Sequence, residues 1–215
     1  MTLICAIDAP DGAGKSSCVD RVAHMVRGQA FHHDTPRGLD VFASANAYRT
    51  QREVFSTWRG RLVIADRWWM SSLALSHAIQ STAGAAQSDE EHDRIVAHAQ
   101  RLRSIALDER ASEASRGLRV VTVYLRASLD TLRARTSPAR RGGERWRMLP
   151  AIHRAYEELA PTWCEYTVNA EQRAECVAAD VALIVQRERR DDSAKRRCVS
   201  FKRRRRGVRN SGTGS

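Results

Sequence analysis

The run Leu3-Ile4-Cys5-Ala6-Ile7-Asp8 is apolar up to its closing acid, and Ala9-Pro10-Asp11-Gly12-Ala13-Gly14-Lys15-Ser16-Ser17 follows it. A stretch this apolar suits the first central strand of a parallel sheet, buried on both faces. Gly12 and Gly14 let the backbone turn tightly around an anion. The amides of Gly12 to Ser16 then converge at the positive end of the helix that begins there, which makes the segment a phosphate cradle. In such a cradle Lys15 spans the β- and γ-phosphates, and the Ser16 hydroxyl holds Mg²⁺. The first glycine of the pattern G-x-x-x-x-G-K-[ST] is replaced by Ala9. The order strand, turn, helix is kept, and that order is what the mechanism requires.

With 215 residues the chain has room for one sizeable core and little room for two. Its net charge of +11 is unevenly placed. Residues 187–215 hold 12 Lys/Arg against 3 Asp/Glu, a net of +9, which leaves +2 for residues 1–186. The expected organisation is therefore a nearly neutral domain over 1–186 and a basic, disordered tail over 187–215. Five cysteines (Cys5, Cys18, Cys164, Cys176, Cys198) include no C-x-x-C pair. This points to a reducing, cytoplasmic setting without structural zinc. No stretch approaches the roughly 20 apolar residues that cross a bilayer, and no charged leader precedes the first strand, so a soluble chain without membrane association is expected.

Hydrophobic spacing predicts a helix from Ser16 to about Arg27, with Val19, Val22, Ala23 and Val26 on one face. Residues 31–47 read as a loop, Ala47–Trp58 as a helix, Arg61–Asp66 as a buried strand and Ser71–Gln80 as a helix. A long helix opens at Ser88 and runs to about Ala111, and Leu118–Leu125 is a third strand. A short helix near Ser128–Arg135 leads to an Arg/Gly-rich loop at 136–145 and a further helix to about Leu159. Tyr166-Thr167-Val168 is a last strand, and Glu171–Arg187 a last helix. Strands alternating with helices give an α/β fold of three layers, a central parallel sheet with helices on both faces, of the P-loop NTPase type.

Two further groups narrow the chemistry. Asp66, at the carboxyl end of a buried strand, belongs beside the phosphate loop, where it can hold a Mg²⁺-bound water, and Arg67 can reach phosphate oxygens bidentately. Arg133, Arg135, Arg140, Arg141, Arg145 and Arg147 surround Gly142-Gly143. Arginines on a glycine-hinged lid suit phosphoryl transfer, which depends on neutralising charge and excluding water.

Over about residues 1–186 the chain resembles the thymidylate kinases. Ile7-Asp8-Ala9-Pro10-Asp11-Gly12-Ala13-Gly14-Lys15-Ser16-Ser17 is similar to the family's I-E-G-x-D-G-A-G-K-[ST]-T, and Asp66-Arg67-Trp68 with Ser71 and Ala74 to its D-R-Y-x-x-S-x-x-A. Weaker likenesses are Tyr124-Leu125 with Leu132-Arg133-Ala134-Arg135 before the lid, Glu144-Arg145-Trp146 at its exit, and Val168-Asn169-Ala170 near the adenine. The resemblance implies ATP and Mg²⁺ as cofactors. It places Gly12, Ala13, Gly14, Lys15, Ser16 and Ser17, with Arg133, Arg140 and Arg141 of the lid, on the donor nucleotide, and Ser16 and Asp66 on the metal. It makes Lys15, Asp11, Arg67 and Arg145 catalytic, and sets Asp11, Arg49, Gln51, Arg67 and Ser71 on the acceptor. No strong side-chain base is implied, because an acceptor phosphate is already a nucleophile.

The departures all fall on the acceptor side. Asp34-Thr35-Pro36 stands where the family has R-E-P, Pro36 to Asp66 spans only 30 residues, and Leu75-Ser76 replaces Tyr-Gln. Three readings follow. The first is a nucleoside monophosphate kinase acting on dTMP or a related deoxynucleotide. The second is a deoxynucleoside or other small-molecule kinase of the same fold. The third is a nucleic-acid-binding P-loop ATPase, which the near-neutral core disfavours. A nucleoside monophosphate is the expected partner and a homodimer is allowed. The basic tail is read either as a nucleic-acid contact, as a nuclear-import address, or as a solvated segment with no role.

Overall fold

The computed structural model describes residues 1–32, 50, 52–83, 88–136 and 143–208. Five parallel strands form one sheet in the order β2-β3-β1-β4-β5. They are β1 (Thr2–Asp8), β2 (Gln29–His32), β3 (Leu62–Asp66), β4 (Leu118–Arg126) and β5 (Tyr166–Asn169). β1 and β3 are buried at every residue, as their unbroken apolar sequences require of strands covered on both faces. The sequence reading has four strands; β2 is the fifth. It is a four-residue edge strand whose outer residues Gln29 and His32 are exposed, so it carries neither an apolar run nor a clean alternation.

The helices are α1 (Lys15–Val26), α2 (52–57), α3 (Trp69–Ala83), α4 (Asp89–Ser112), α5 (Leu129–Arg135), α6 (Glu144–Arg147), α7 (Leu149–Trp163) and α8 (Ala174–Val208). From β1 the chain crosses first toward β2 and β3 and then back toward β4, so right-handed crossovers place α1 on one face and α3, α4 and α7 on the other. α8 returns to pack on α1, and α3 packs on both α4 and α7. Because the crossovers diverge at β1, the carboxyl ends of β1 and β3 open into the crevice where ligands bind in such sheets.

α3 begins two residues earlier than Ser71 and reaches Ala83. The helix expected after the lid is two pieces, α6 and α7, divided at Met148. The boundary expected at residue 186 falls inside α8, which stays helical to Val208. Glu188 is buried, takes hydrogen bonds from Arg119 and Tyr166, and is followed by Arg189, which donates to the Val26 carbonyl at 3.4 Å. The packed part therefore extends past 186, since net charge reports the mean of a segment and not the pairing of its first residues.

Under the β3–α3 turn lies a buried polar cluster. Arg52 is ion-paired with Glu109, and the Trp68 indole donates to Glu113 at 3.3 Å. Burial pushes the Glu113 carboxyl up to about 7, above the value of 4.5 it has in an unfolded chain. The folded state thus holds this proton more tightly than the unfolded state. Its stabilising contribution is complete below pH 4.5 and is lost as pH rises through about 7. Denaturant titrations should show unfolding free energy declining across that window at up to roughly 1.4 kcal/mol per pH unit. Glu113→Gln, which keeps the acceptor for Trp68, should flatten the decline; an unchanged profile would contradict the assignment.

Candidate active site

The local rules that build the phosphate loop are visible in its backbone. Gly12 and Gly14 adopt φ values of +92° and +86°, in the left-handed region open to glycine. Gly14 is the N-cap of α1, so Lys15 stands at the helix's first position. A Cβ on Gly12 would lie 2.6 Å from the Leu132 carbonyl and 3.0 Å from the Thr136 hydroxyl, which shows how closely the end of α5 rests on the loop. Ala9 replaces glycine without strain, because it is not among the described residues with positive φ, and its methyl is fully buried. Gly12→Ala should therefore cost about 1–3 kcal/mol from the backbone conformation alone. The same change should weaken nucleotide binding by pushing α5 off the loop; denaturation and a fluorescent-ATP titration read the two effects, and wild-type values in both would refute the close-approach argument.

Lys15 is only 6% exposed; its ammonium donates to the Pro10 carbonyl at 3.0 Å and lies 3.7 Å from Asp11 Oδ1. Burial, reinforced by the nearby Arg67, lowers its pKa to about 8. Ser16 Oγ donates to Asp66 Oδ2 at 2.5 Å, so the hydroxyl and the carboxylate expected to share a cation are in contact. Asp66 Oδ1 is buried without a hydrogen-bond partner. Among the described residues no cluster of three or more His, Cys, Asp or Glu side chains could hold a metal by itself. One hydroxyl and one under-coordinated carboxylate beside a phosphate cradle fit Mg²⁺, which takes one or two protein oxygens and fills its shell with water and phosphate. His32, at the end of β2, lies with Nδ1 3.5 Å from Asp66 Oδ2 and Nε2 2.7 Å from Asp20; the Asp20 hydrogen bond is the main cause of its raised pKa.

Arg67 is one of two described non-glycine residues with positive φ, at +82°. Its amide continues the ladder to the Ile7 carbonyl at 3.0 Å, and the next amide, Trp68 N–H, is taken by Asp8 Oδ2 at 3.0 Å. The chain then turns into α3, with Ser71 N–H bonded to the Trp68 carbonyl. This geometry aims the Arg67 guanidinium at Asp11 Oδ1, 2.5 Å away, and at Ser71 Oγ, 3.2 Å away. Burial alone would raise the Asp11 carboxyl, but Arg67, followed by Lys15 and Arg145, holds it well below the usual carboxylate range. Burial pushes Asp8 the other way, up to about 6, against the opposing pull of Ser71, Arg67, Lys15 and the Trp68 amide.

Beside this cluster lies an open cleft. Asp11, Arg67, Ser71 and Arg145 line its polar side, while Leu75, Leu149, Ile152 and Tyr156 form an apolar wall. Lys15, Asp11, Arg67, Ser71, Ser16, Asp66 and Arg145 are thus brought together as the sequence implies. Arg133 is not: it sits half-exposed on α5, 3.9 Å from Asp130 of its own helix, and it does not line the cleft. Arg135 donates to the Ala170 carbonyl at 2.7 Å, fastening α5 to the segment after β5. Arg49, Gln51, Arg140 and Arg141 lie outside the described residues. Asp8 and Tyr156 were not singled out from the sequence. An acid ending an apolar strand was the available signal for Asp8, whereas Tyr156 reads as one more apolar position of α7.

No protein-family model matches the chain, and no curated protein matches it. Solved structures do. Deoxyadenosine kinase from M. mycoides with bound dATP is similar at a TM-score of 0.54 and 15% identity, covering 86% of this chain and 98% of that one. The same enzyme with dCMP and dCDP bound is similar at 0.53 and 14%, covering 88% and 98%. The YorR protein from Bacillus subtilis, in complex with phosphorylated GDP, is similar at 0.53 and 14%, covering 87% and 98%. No helix among the described residues is long and apolar enough to cross a membrane. The five-stranded parallel sheet, its flanking helices and these likenesses define a P-loop NTPase-type fold in the arrangement found in P-loop kinases.

Proposed function

We propose that this protein is an ATP-dependent nucleoside monophosphate kinase of the thymidylate kinase type, transferring the γ-phosphoryl group of ATP to dTMP or a related deoxynucleoside monophosphate. The observation that carries this reading is the cleft. It is lined by Arg67 and Arg145 together with Asp11 of the phosphate loop, and by an apolar wall of Leu75, Leu149, Ile152 and Tyr156. That combination suits a ligand with an anionic head and a flat apolar body.

In this reading the loop amides and Lys15 hold the donor phosphates, exchanging the Pro10 carbonyl for phosphate oxygen. Mg²⁺, held by Ser16 and through Asp66, would neutralise charge on the β- and γ-phosphates. An acceptor phosphate oxygen attacks the γ-phosphorus in line, the bond to the β,γ-bridging oxygen breaks, and ADP leaves. Arg67 and Arg145 offset the charge that gathers between the two nucleotides, in positions set before the ligands arrive. Asp11 Oδ1 bridges Lys15 and Arg67 until phosphate replaces it as their shared partner.

A deoxynucleoside or other small-molecule kinase is the second reading. It is supported by the three acceptor-side departures and by the structural likeness to deoxyadenosine kinase. Measuring ADP formation across deoxynucleotides, deoxynucleosides and single-stranded DNA separates the readings. Turnover of dTMP is expected, with loss of activity in Lys15→Ala. Exclusive turnover of an unphosphorylated nucleoside would favour the second reading. ATP hydrolysis dependent on DNA, with no phosphorylated acceptor, would favour a nucleic-acid-binding ATPase.

The basic C-terminal segment supports a separate role, contact with nucleic acid through phosphate neutralisation. Residues 191–215 hold 9 Lys/Arg against 2 Asp, and α8 carries its helix to Val208, beyond the buried Glu188. Ending the chain after Arg190 should leave kcat unchanged and remove a nucleic-acid affinity that falls steeply with salt. Loss of turnover in a folded truncate would instead tie this segment to the active site.

A further inference from the structure

We infer that Asp8 is the positioning residue of Arg67, setting both the left-handed turn that carries it and the direction of the Ser71 hydrogen bonds that meet its guanidinium. Asp8 is fully buried at the end of β1 and does not line the cleft. Its two carboxylate oxygens have separate tasks. Oδ2 accepts the Trp68 amide, which holds Arg67 in a backbone region that a side chain of its size rarely occupies. Oδ1 accepts the hydroxyl of Ser71.

The second bond has a directional consequence. Ser71 owns one hydroxyl proton, and a carboxylate has no proton to offer, so that proton goes to Asp8. Both lone pairs of Ser71 Oγ are then free to accept. One faces Arg67 NH1 at 3.2 Å; the other faces the Tyr156 hydroxyl at 2.8 Å, which makes Tyr156 the donor. The series from Asp8 through Ser71 to Arg67 has a single polarity, fixed at Asp8. An amide in its place cannot reproduce it. With its NH₂ toward Ser71, the Ser71 proton would have to leave residue 8 and turn to the Tyr156 oxygen, reversing that bond, and with its NH₂ toward Trp68, two donors would face each other. Asp8→Asn, although isosteric, should therefore disturb the Ser71 and Trp68 bonds that seat Arg67.

This inference rests on the kinase reading only for its kinetic readout. In Asp8→Asn, kcat on the best acceptor should fall by about tenfold or more while KM for ATP stays within about threefold, the pattern of an interaction used in the transition state. In an Arg67→Ala background the same change should lower kcat no further, because the residues act as one unit. The Nε–H resonance of Arg67, assigned by its loss in Arg67→Lys, should shift and broaden in Asp8→Asn without any need for turnover. Should Asp8→Asn fail to fold, Ser71→Ala retains the Asp8–Trp68 bond and must still lower kcat and move that resonance. Losses that multiply with Arg67→Ala, or an unmoved Arg67 resonance in the tested variant, would overturn the inference. If the wild-type protein phosphorylates no acceptor, the kinase reading fails and the resonance comparison still decides the role of Asp8.

Discussion

Parallel pairing of β1 with β3, which sets Ile7 opposite Asp66, is the constraint on which the site depends. It brings the end of the first strand, and so the phosphate loop, level with the acid that closes the third. From this register follow the Ser16–Asp66 contact, the Arg67 amide on the Ile7 carbonyl and the capture of the Trp68 amide by Asp8. A slip of one residue would turn Asp66 to the opposite face of the sheet and remove the contact. The unbroken apolar strands hold the register because burial on both faces leaves no other pairing that hides them as well.

The second organising element is a balance of charge. Asp8, Asp11 and Asp66 stand among Lys15, Arg67 and Arg145 in a region from which much of the water is excluded. Their protonation properties diverge accordingly. Burial dominates at Asp8, which is raised, while paired cations dominate at Asp11, which is lowered. Three carboxylates that all act on Lys15 thus hold different roles: one supports the backbone, one bridges two cations, and one is left with an unpaired oxygen suited to a hydrated cation. Charges fixed in this way before ligands arrive are what make electrostatic stabilisation effective, since little reorganisation remains to be done during the reaction.

The cleft beside these charges is made by two helices that meet only in the folded state. α3 supplies Ser71 and Leu75, and α7 supplies Leu149, Ile152 and Tyr156. Tyr156 stacks on Tyr124 of β4, with ring centroids 5.6 Å apart, while its hydroxyl reaches Ser71. One aromatic residue thus joins the sheet, the cleft and the hydrogen bonds that orient Arg67. This explains why changes in the wall and changes at the phosphate loop need not be independent.

By itself the sequence determined the phosphate loop, the strand that ends in Asp66, the adjacent Arg67 and the alternation that implies a parallel sheet. These were legible because each depends on contiguous residues: glycines that permit left-handed backbone, an apolar run, a helix start. The edge strand Gln29–His32 was not legible, since its identity comes from pairing with β3 and not from its own pattern. Nor did charge content reveal that Glu188 and Arg189 pack on the domain, because their partners Arg119, Tyr166 and Val26 are distant in the chain. Only the tertiary structure decided that Arg133 and Arg135 serve α5 and its neighbours while Arg145 faces the cleft, and that Asp8 governs Arg67. Composition places arginines near a site; the direction of a side chain and the ownership of a single hydroxyl proton are settled by contacts between elements that folding brings together.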